Sequence, residues 1–415
     1  MNRYIVCIPF LFLSSILFAQ TSDNTLTRSP YSLFGLGVQS NSNIGTNSAL
    51  GKGGIALESK NMINNYNPAS FASIPEQSFL LDIGFLGEFN TISNSNGDES
   101  RLAASFSNLA FAFSINDSSG LGVSIVPFTD VGYSLVGITS NIEGSQDEFI
   151  SSITGSGGLS DIRINYGYRI FDNVRVGIRA SYIFGSILET ENITTVDSYL
   201  DIIEENYYNG LRLGVGFQFD INDSYSMGLT TDLPTSLHSS QDRLVEKTLD
   251  NVLITVENEE DLFVTNFKLP LEIGFGIRAK PINTITINAD YKMNMWGQTE
   301  QSDNIGQFVN QSIVSLGAQY KANERGFKYW QHIEFRAGIN YDTGYLKVNN
   351  KVIDNYGFSA GLGLPINRKG TSMLNISYTT GQRGSVSGLL LQENYNLINV
   401  NLSLKDTWFQ RIFFK

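Results

Sequence analysis

Residues 211–221 read Leu211-Arg212-Leu213-Gly214-Val215-Gly216-Phe217-Gln218-Phe219-Asp220-Ile221. Every odd position is apolar, and every even position is polar or glycine. A period of two is the mark of an extended strand with one apolar and one polar face. The same alternation returns in Val174–Tyr182, Ile285–Tyr291 and Phe335–Tyr341. Helical i, i+3, i+4 stripes are nearly absent. Working outward gives about 14 such segments. Their approximate spans are 77–90, 100–115, 120–138, 157–170, 174–190, 207–221, 225–238, 264–280, 283–297, 308–322, 332–345, 354–365, 371–381 and 394–405. Many exceed soluble strands and suit the ~9–11 residues that cross a bilayer at a tilt.

The connections alternate in length. Short polar turns fall near Asn116–Ser119, Asp172–Asn173, Asn222–Ser224, Pro281–Ile282 and Asn367–Gly370. Longer loops are expected near 91–99, 139–156, 191–206, 239–263, 298–307, 346–353 and 382–393. The turn Asn323–Gln331 is longer than its partners but in phase. Short turns on the periplasmic side and long loops outside are the pattern of an outer-membrane barrel. Such a barrel leaves no sheet edge and pairs every backbone group within lipid. A secreted β-sandwich also alternates, but its strands are shorter and the loop parity would be accidental. The fold expected is all-β, a transmembrane antiparallel β-barrel of about 14 strands. An even strand count places both chain termini in the periplasm.

Composition agrees. The chain has 415 residues, with Lys+Arg 28 against Asp+Glu 40, a net charge of -12 and mean hydropathy of -0.08. The acidic balance argues against nucleic-acid binding. No later stretch reaches the ~18 apolar residues of a membrane helix. Residues 1–20 read as a secretory signal peptide, with Arg3 as the positive region and an apolar run from Tyr4 to Phe18. Cys7, the only cysteine, lies inside it, so the mature chain has no disulfide and no thiol.

Residues 29–75 do not alternate. Gly35, Gly37, Gly51, Gly53 and Gly54 punctuate them, and Pro68 limits any helix. The segment is too apolar to stay in water and is expected to fold into the barrel. Its Gly-Lys-Gly-Gly run lacks P-loop spacing. The domains expected are the signal peptide 1–20, a hatch segment 21–75, the barrel 76–408 and a periplasmic tail 409–415.

The small-residue stretch Ala49 to Ala56, followed by Asn67-Pro68-Ala69, resembles the N-terminal hatch of the FadL-like outer-membrane transport proteins. The opening Ser29-Pro30-Tyr31-Ser32-Leu33-Phe34-Gly35-Leu36-Gly37 is similar to Bacteroidetes members of that superfamily. So is the ending from Glu393-Asn394-Tyr395 through Trp408-Phe409. The resemblance covers the two ends and the general layout. It implies a 14-stranded barrel closed by a hatch (Gly51, Gly53, Gly54, Asn67, Pro68, Ala69). It also implies passage of hydrophobic or amphipathic small molecules across the outer membrane by diffusion, in the manner of a hatch-gated porin. The superfamily also contains accessory barrels of protein export and surface attachment, so a non-transporting scaffold with protein partners stands as the alternative.

Candidate chemistry is sparse. His238 and His332 lie far apart in sequence, and neither accompanies a G-x-S-x-G serine. No catalytic residue, metal or cofactor is expected, and a hydrolase is the weakest reading. Arg163, Arg175, Arg179, Arg212, Arg278 and Arg336 alternate with apolar neighbours, as do Asp220 and Asp290. All are expected to face the lumen. Either they line an ionic path or they anchor the hatch to the wall. The second is favoured because a folded plug must satisfy its own buried polar groups. Polar-face glycines (Gly214, Gly216, Gly274, Gly276, Gly361, Gly363) would ease curvature and make room inside. Aromatic residues near the strand ends suit girdles at the lipid interfaces.

Overall fold

The computed structural model describes residues 29–40, 44–94, 97–141, 148–195, 198–250, 252–301, 306–322, 328–367, 370–387 and 390–407. The expected signal peptide 1–20 and tail 409–415 lie outside these residues.

The described chain forms β1 (Ser78–Asn94), β2 (Gly97–Asn116), β3 (Ser119–Pro127, then Thr129–Asn141), β4 (Glu148–Phe171) and β5 (Val174–Thr194). Next come β6 (Ser198–Asp220), β7 (Tyr225–Asp232, then Thr235–Leu249) and β8 (Val252–Phe263, Phe267–Leu269, then Glu272–Ile282). The ring is completed by β9 (Ile285–Asn294), β10 (Gln311–Lys321), β11 (Glu334–Asp342), β12 (Asn355–Pro365), β13 (Met373–Ser387) and β14 (Leu390–Thr407). Neighbours pair antiparallel, and β1 pairs with β14 from Ser78↔Thr407 to Ser93↔Gln392. The result is a closed 14-strand antiparallel barrel.

The faces follow the parity of residues 211–221. Leu211, Leu213, Val215 and Phe217 are 40–61% exposed on the outside, whereas Arg212 and Gln218 are buried inside. An apolar exterior is what lipid selects, and a polar lumen is what remains for the alternate positions.

One end of the barrel carries the tight turns, as expected at Asn116–Ser119, Asp172–Asn173 and Asn222–Ser224. The turn expected at Pro281–Ile282 sits slightly later, because Ile282 still pairs with Ile285. The opposite end departs from expectation. The loops expected at 139–156, 191–206 and 239–263 are mostly strand: β4, β5, β6, β7 and the first part of β8 continue as paired arms beyond the barrel. Along the arms the apolar-out, polar-in parity of the barrel is lost while the backbone stays extended.

The N-terminal segment is built of three short 3-10 turns, Pro30–Leu33, Gly45–Ala49 and Pro68–Ser73. Pro68 starts the third, where its missing N–H costs nothing, and Asn67 caps it by accepting the Ala69 N–H at 3.0 Å. Ile44, Ile63, Phe71 and Ile74 pack on Leu80, Ala112 and Val126 of the wall. The core therefore lies between segment and barrel. The first described residue does not sit at the short-turn end, where β14 finishes. The Ser29 N–H donates to the Gly132 carbonyl at 3.3 Å and its hydroxyl to Glu393 at 2.8 Å, both toward the arm end. The expectation that both termini lie in the periplasm falls on residues before Ser29 and after Thr407, outside the described residues. Residues 29–40 are held at the arm end by the kinked edge of β3.

Candidate functional site

The N-terminal segment touches all 14 strands, and glycine makes the approach possible. Gly120, Gly167, Gly177 and Gly216 stand opposite one another across β3, β4, β5 and β6, forming a side-chain-free row. Pro68–Ser73 lies along it. A Cβ on Gly177 would meet the Pro68 carbonyl carbon at 2.3 Å, and one on Gly167 would meet the Ala72 nitrogen at 2.5 Å. Across the lumen, Gly338 similarly faces the Gly51 nitrogen. Gly51 has φ +65, a backbone that suits glycine, as its chain turns against Ile339.

Polar groups complete the seat. Asp290 accepts the N–H groups of Gly54 and Ile55, both at 2.9 Å. Gln218 donates to the carbonyls of Ile55 and Leu57 at 2.9 Å. Asn67 donates to the Phe217 carbonyl at 3.0 Å, and Arg179 to that of Asn65 at 2.5 Å. Gly53 lies beside Asp290, and Ala69 is fully buried. At the short-turn mouth, Glu58 of the segment lies 3.5 Å from Arg175 and 3.4 Å from Arg278. Arg175 also pairs with Asp220 at 2.8 Å. Burial pushes the Glu58 carboxyl up, and Arg278, Lys60 and Arg175 more than reverse it, holding it below the usual carboxylate range.

Of the arginines singled out in sequence, Arg175, Arg179 and Arg278 thus bind the segment. Arg163 pairs with Asp161, Arg212 with Glu272 and Arg336 with Glu334, all within the wall. Glu58 was missed, although it is the only acidic residue between Asp23 and Glu76. Also missed were Gln218 and the row glycines Gly120, Gly167 and Gly177. His238 lies on the arm of β7 and His332 in the turn before β11, so the two share no site.

Above the seat the wall is incomplete. β2 pairs with β3 only from Asn116↔Ser119 to Leu109↔Ile125. There β2 bulges at Ser107, and β3 breaks at Phe128 after Pro127. Beyond these points β3 pairs with β4, β2 pairs with β1, and among the described residues the two facing edges share no ladder. Val38–Gln39 pairs with Thr129–Asp130 at the foot of this gap. An unpaired edge at membrane depth is tolerated only where it lines a cavity or is covered by protein. A cavity of about 130 Å³ opens there, lined by Leu86, Ser105, Phe106, Ser107, Pro127 and Lys52. A second, of about 140 Å³, continues past Lys52 to Tyr31, Tyr66 and Tyr345. Burial lowers the pKa of the Lys52 ammonium.

The fold matches solved outer-membrane channels. The CymD monoaromatic hydrocarbon channel superposes with a TM-score of 0.59 at 15% identity, covering 88% of this chain and 98% of that one. The P. putida toluene transporter TodX gives 0.58 at 14% identity, with 87% and 95% covered. A Pseudomonas aeruginosa FadL homologue gives 0.57 at 12%, with 89% and 98% covered. No curated protein sequence matches the chain. A family model described as BamG matches residues 1–415, and the chain belongs to this family of outer-membrane barrels.

Proposed function

We propose that this barrel admits hydrophobic or amphipathic small molecules into the outer membrane, with residues 29–75 as a hatch that bars the aqueous route. The observation that carries this reading is the side gap between β2 and β3, backed by luminal cavities. The short-turn end would face the periplasm. Entry would begin among the arms. The molecule would rest in the cavity beside Lys52, whose desolvated ammonium suits an anionic head group. It would leave sideways past Ser107 and Phe128 into lipid. That path avoids the polar seat, where an apolar solute would have to displace buried hydrogen bonds. No nucleotide, metal or other cofactor is required, since diffusion down a gradient supplies the driving force. Outer-membrane lipid is the partner of the apolar exterior.

The test is Ser107→Trp, which fills the cavity of about 130 Å³ beneath the gap. Uptake of labelled toluene by intact cells should fall to the level of cells lacking the barrel, while heat-modifiable migration on gels is unchanged. Undiminished uptake by a folded Ser107→Trp barrel would overturn the proposal. Deleting 29–75 behind the signal should raise planar-bilayer conductance. A folded deletion barrel that conducts no better than its parent would remove the hatch assignment.

The projecting arms favour a second reading, an accessory barrel that holds protein partners in an outer-membrane complex.

A further inference from the structure

The arm Val252–Phe263 of β8 has one partner. It pairs with β7 from Ser240↔Phe263 to Leu249↔Val252, and its other edge has no ladder with any described strand. Over Val252–Thr255 alternate residues of that edge therefore present an N–H and a C=O outward, a template for a further strand, before the ladder with β7 shifts register at Val256 and again at Glu260–Asp261. The tip is also apolar: Val252, Leu253, Ile254 and Val256 are 48–61% exposed. Lipid does not explain this exposure. Along the same arm sheet, the outward alternation of β6 ends near Tyr207, and the arm tip at Ser198 lies about 9 residues beyond, or about 30 Å along a strand. Proteins usually blunt such edges with lysine, proline or a bulge that twists the strand away. Residues 252–255 carry no lysine, proline or charge, and the first bulge comes only after them, at Val256.

Below the tip the edge is acidic, with Glu257, Glu259, Glu260 and Asp261 in sequence. Across residues 235–263 the only Lys or Arg residues are Arg243 and Lys247, and Arg243 is shared between Glu204 at 3.2 Å and Glu257 at 3.8 Å, so acids outnumber their basic neighbours along this stretch. The neighbouring arm of β6 adds Asp201 and Glu205. A second copy of this chain would bring the same sign of charge to the contact.

We propose that the free edge of Val252–Phe263 docks an extended segment of another protein by strand addition. The segment would carry apolar residues against Val252–Val256 and Lys or Arg against Glu257–Asp261. Backbone pairing would supply affinity, and the acidic stretch would fix register and exclude acidic partners. This site is independent of whether the lumen conducts, so its failure would leave the uptake reading untouched.

The test places a photo-crosslinking amino acid at Leu253 of the full chain in intact cells. The expected product joins the barrel to a protein whose crosslinked peptide is extended and bears Lys or Arg. Ile254→Lys with Val256→Lys keeps every backbone group but opposes a basic partner, and should lower the yield at least tenfold. In parallel, the purified barrel is titrated with two synthetic decapeptides, alternating valine with lysine and valine with glutamate. The lysine peptide should bind at least tenfold tighter, and the Ile254→Lys/Val256→Lys barrel should lose that preference. Four results would each overturn the proposal. They are no crosslink above that of a probe at lipid-facing Val215, a product of barrel with barrel only, a partner peptide that is acidic or helical, and equal binding of the two decapeptides.

Discussion

Gly177→Ala should unseat the hatch. The new methyl carbon would lie 2.3 Å from the Pro68 carbonyl carbon and 2.4 Å from the Ala69 nitrogen. Carbon atoms in contact sit ~3.5–4.0 Å apart, so Pro68–Ser73 must retreat by more than about 1 Å. That shift strains the Asn67 bonds to Phe217 and Ile55, each 3.0 Å long, and the Arg179 bond to Asn65. Overpacking of this kind costs ~1–3 kcal/mol. The cost falls on the seated state alone, so the unseated fraction should rise by about 5- to 150-fold. The mature chain is expected to lack cysteine, so Ala69→Cys gives a single reporter thiol, buried when the hatch is seated. The assay is the rate of maleimide labelling in folded barrels, with and without Gly177→Ala. Gly87→Ala is the control, since its Cβ would meet nothing closer than 3.8 Å. Labelling of the Gly177→Ala barrel at the control rate would refute the glycine-row argument.

Glu58→Gln removes the acid between Arg175 and Arg278. The seat should lose about 1–3 kcal/mol, less than the ~3–5 kcal/mol of a fully enclosed pair because the mouth is wet. The same latch sets a pH dependence. The Glu58 pKa is depressed on folding, so its contribution is complete above the ordinary carboxylate value of ~4.3 and fades as pH falls through the lower folded value. Because the thiolate fraction itself falls about tenfold per pH unit, labelling at position 69 is read as a ratio to the same thiol in the unfolded chain at each pH; that ratio should rise below about pH 4 more steeply in the parent than in Glu58→Gln. Asp290→Ala leaves the Gly54 and Ile55 N–H groups without their acceptor and should cost ~1–3 kcal/mol for each that water cannot reach, measured by urea unfolding in detergent. Phe217→Arg puts a charge on the lipid face at a cost of ~2–4 kcal/mol, read from refolding into lipid, and unchanged stability would mean that the faces are reversed.

Much of the fold was legible because lipid imposes it. Leu211 to Ile221 alternates since one face meets hydrocarbon and the other meets the lumen. The same rule explains the misread loops. In Val252–Phe263 both faces meet water, so apolar and acidic residues follow one another without parity, and the strand reads as a loop. The side gap left almost no trace. Only Pro127 marks it, and a proline in a strand is as easily an edge or a bend. The seat was half visible. Asn67-Pro68-Ala69 stood out by its resemblance to the hatch of the family, but its counterpart glycines are ordinary in a strand until the segment is seen against them. Glu58 and its arginines are more than a hundred positions apart, and their pairing depends on a ring that only the closed barrel defines.

That closure has a consequence for biogenesis. The hatch precedes β1 in the chain, yet it is enclosed by a ring whose last seam joins β1 to β14. The glycine row that cradles Pro68–Ser73 belongs to β3, β4, β5 and β6, so a half-built curved sheet already offers the cradle while the far wall is absent. If the segment settles on that half-built sheet, pairing Ser78 with Thr407 would be the step that encloses it, and the seated segment would act as the mandrel around which the remaining strands are wound.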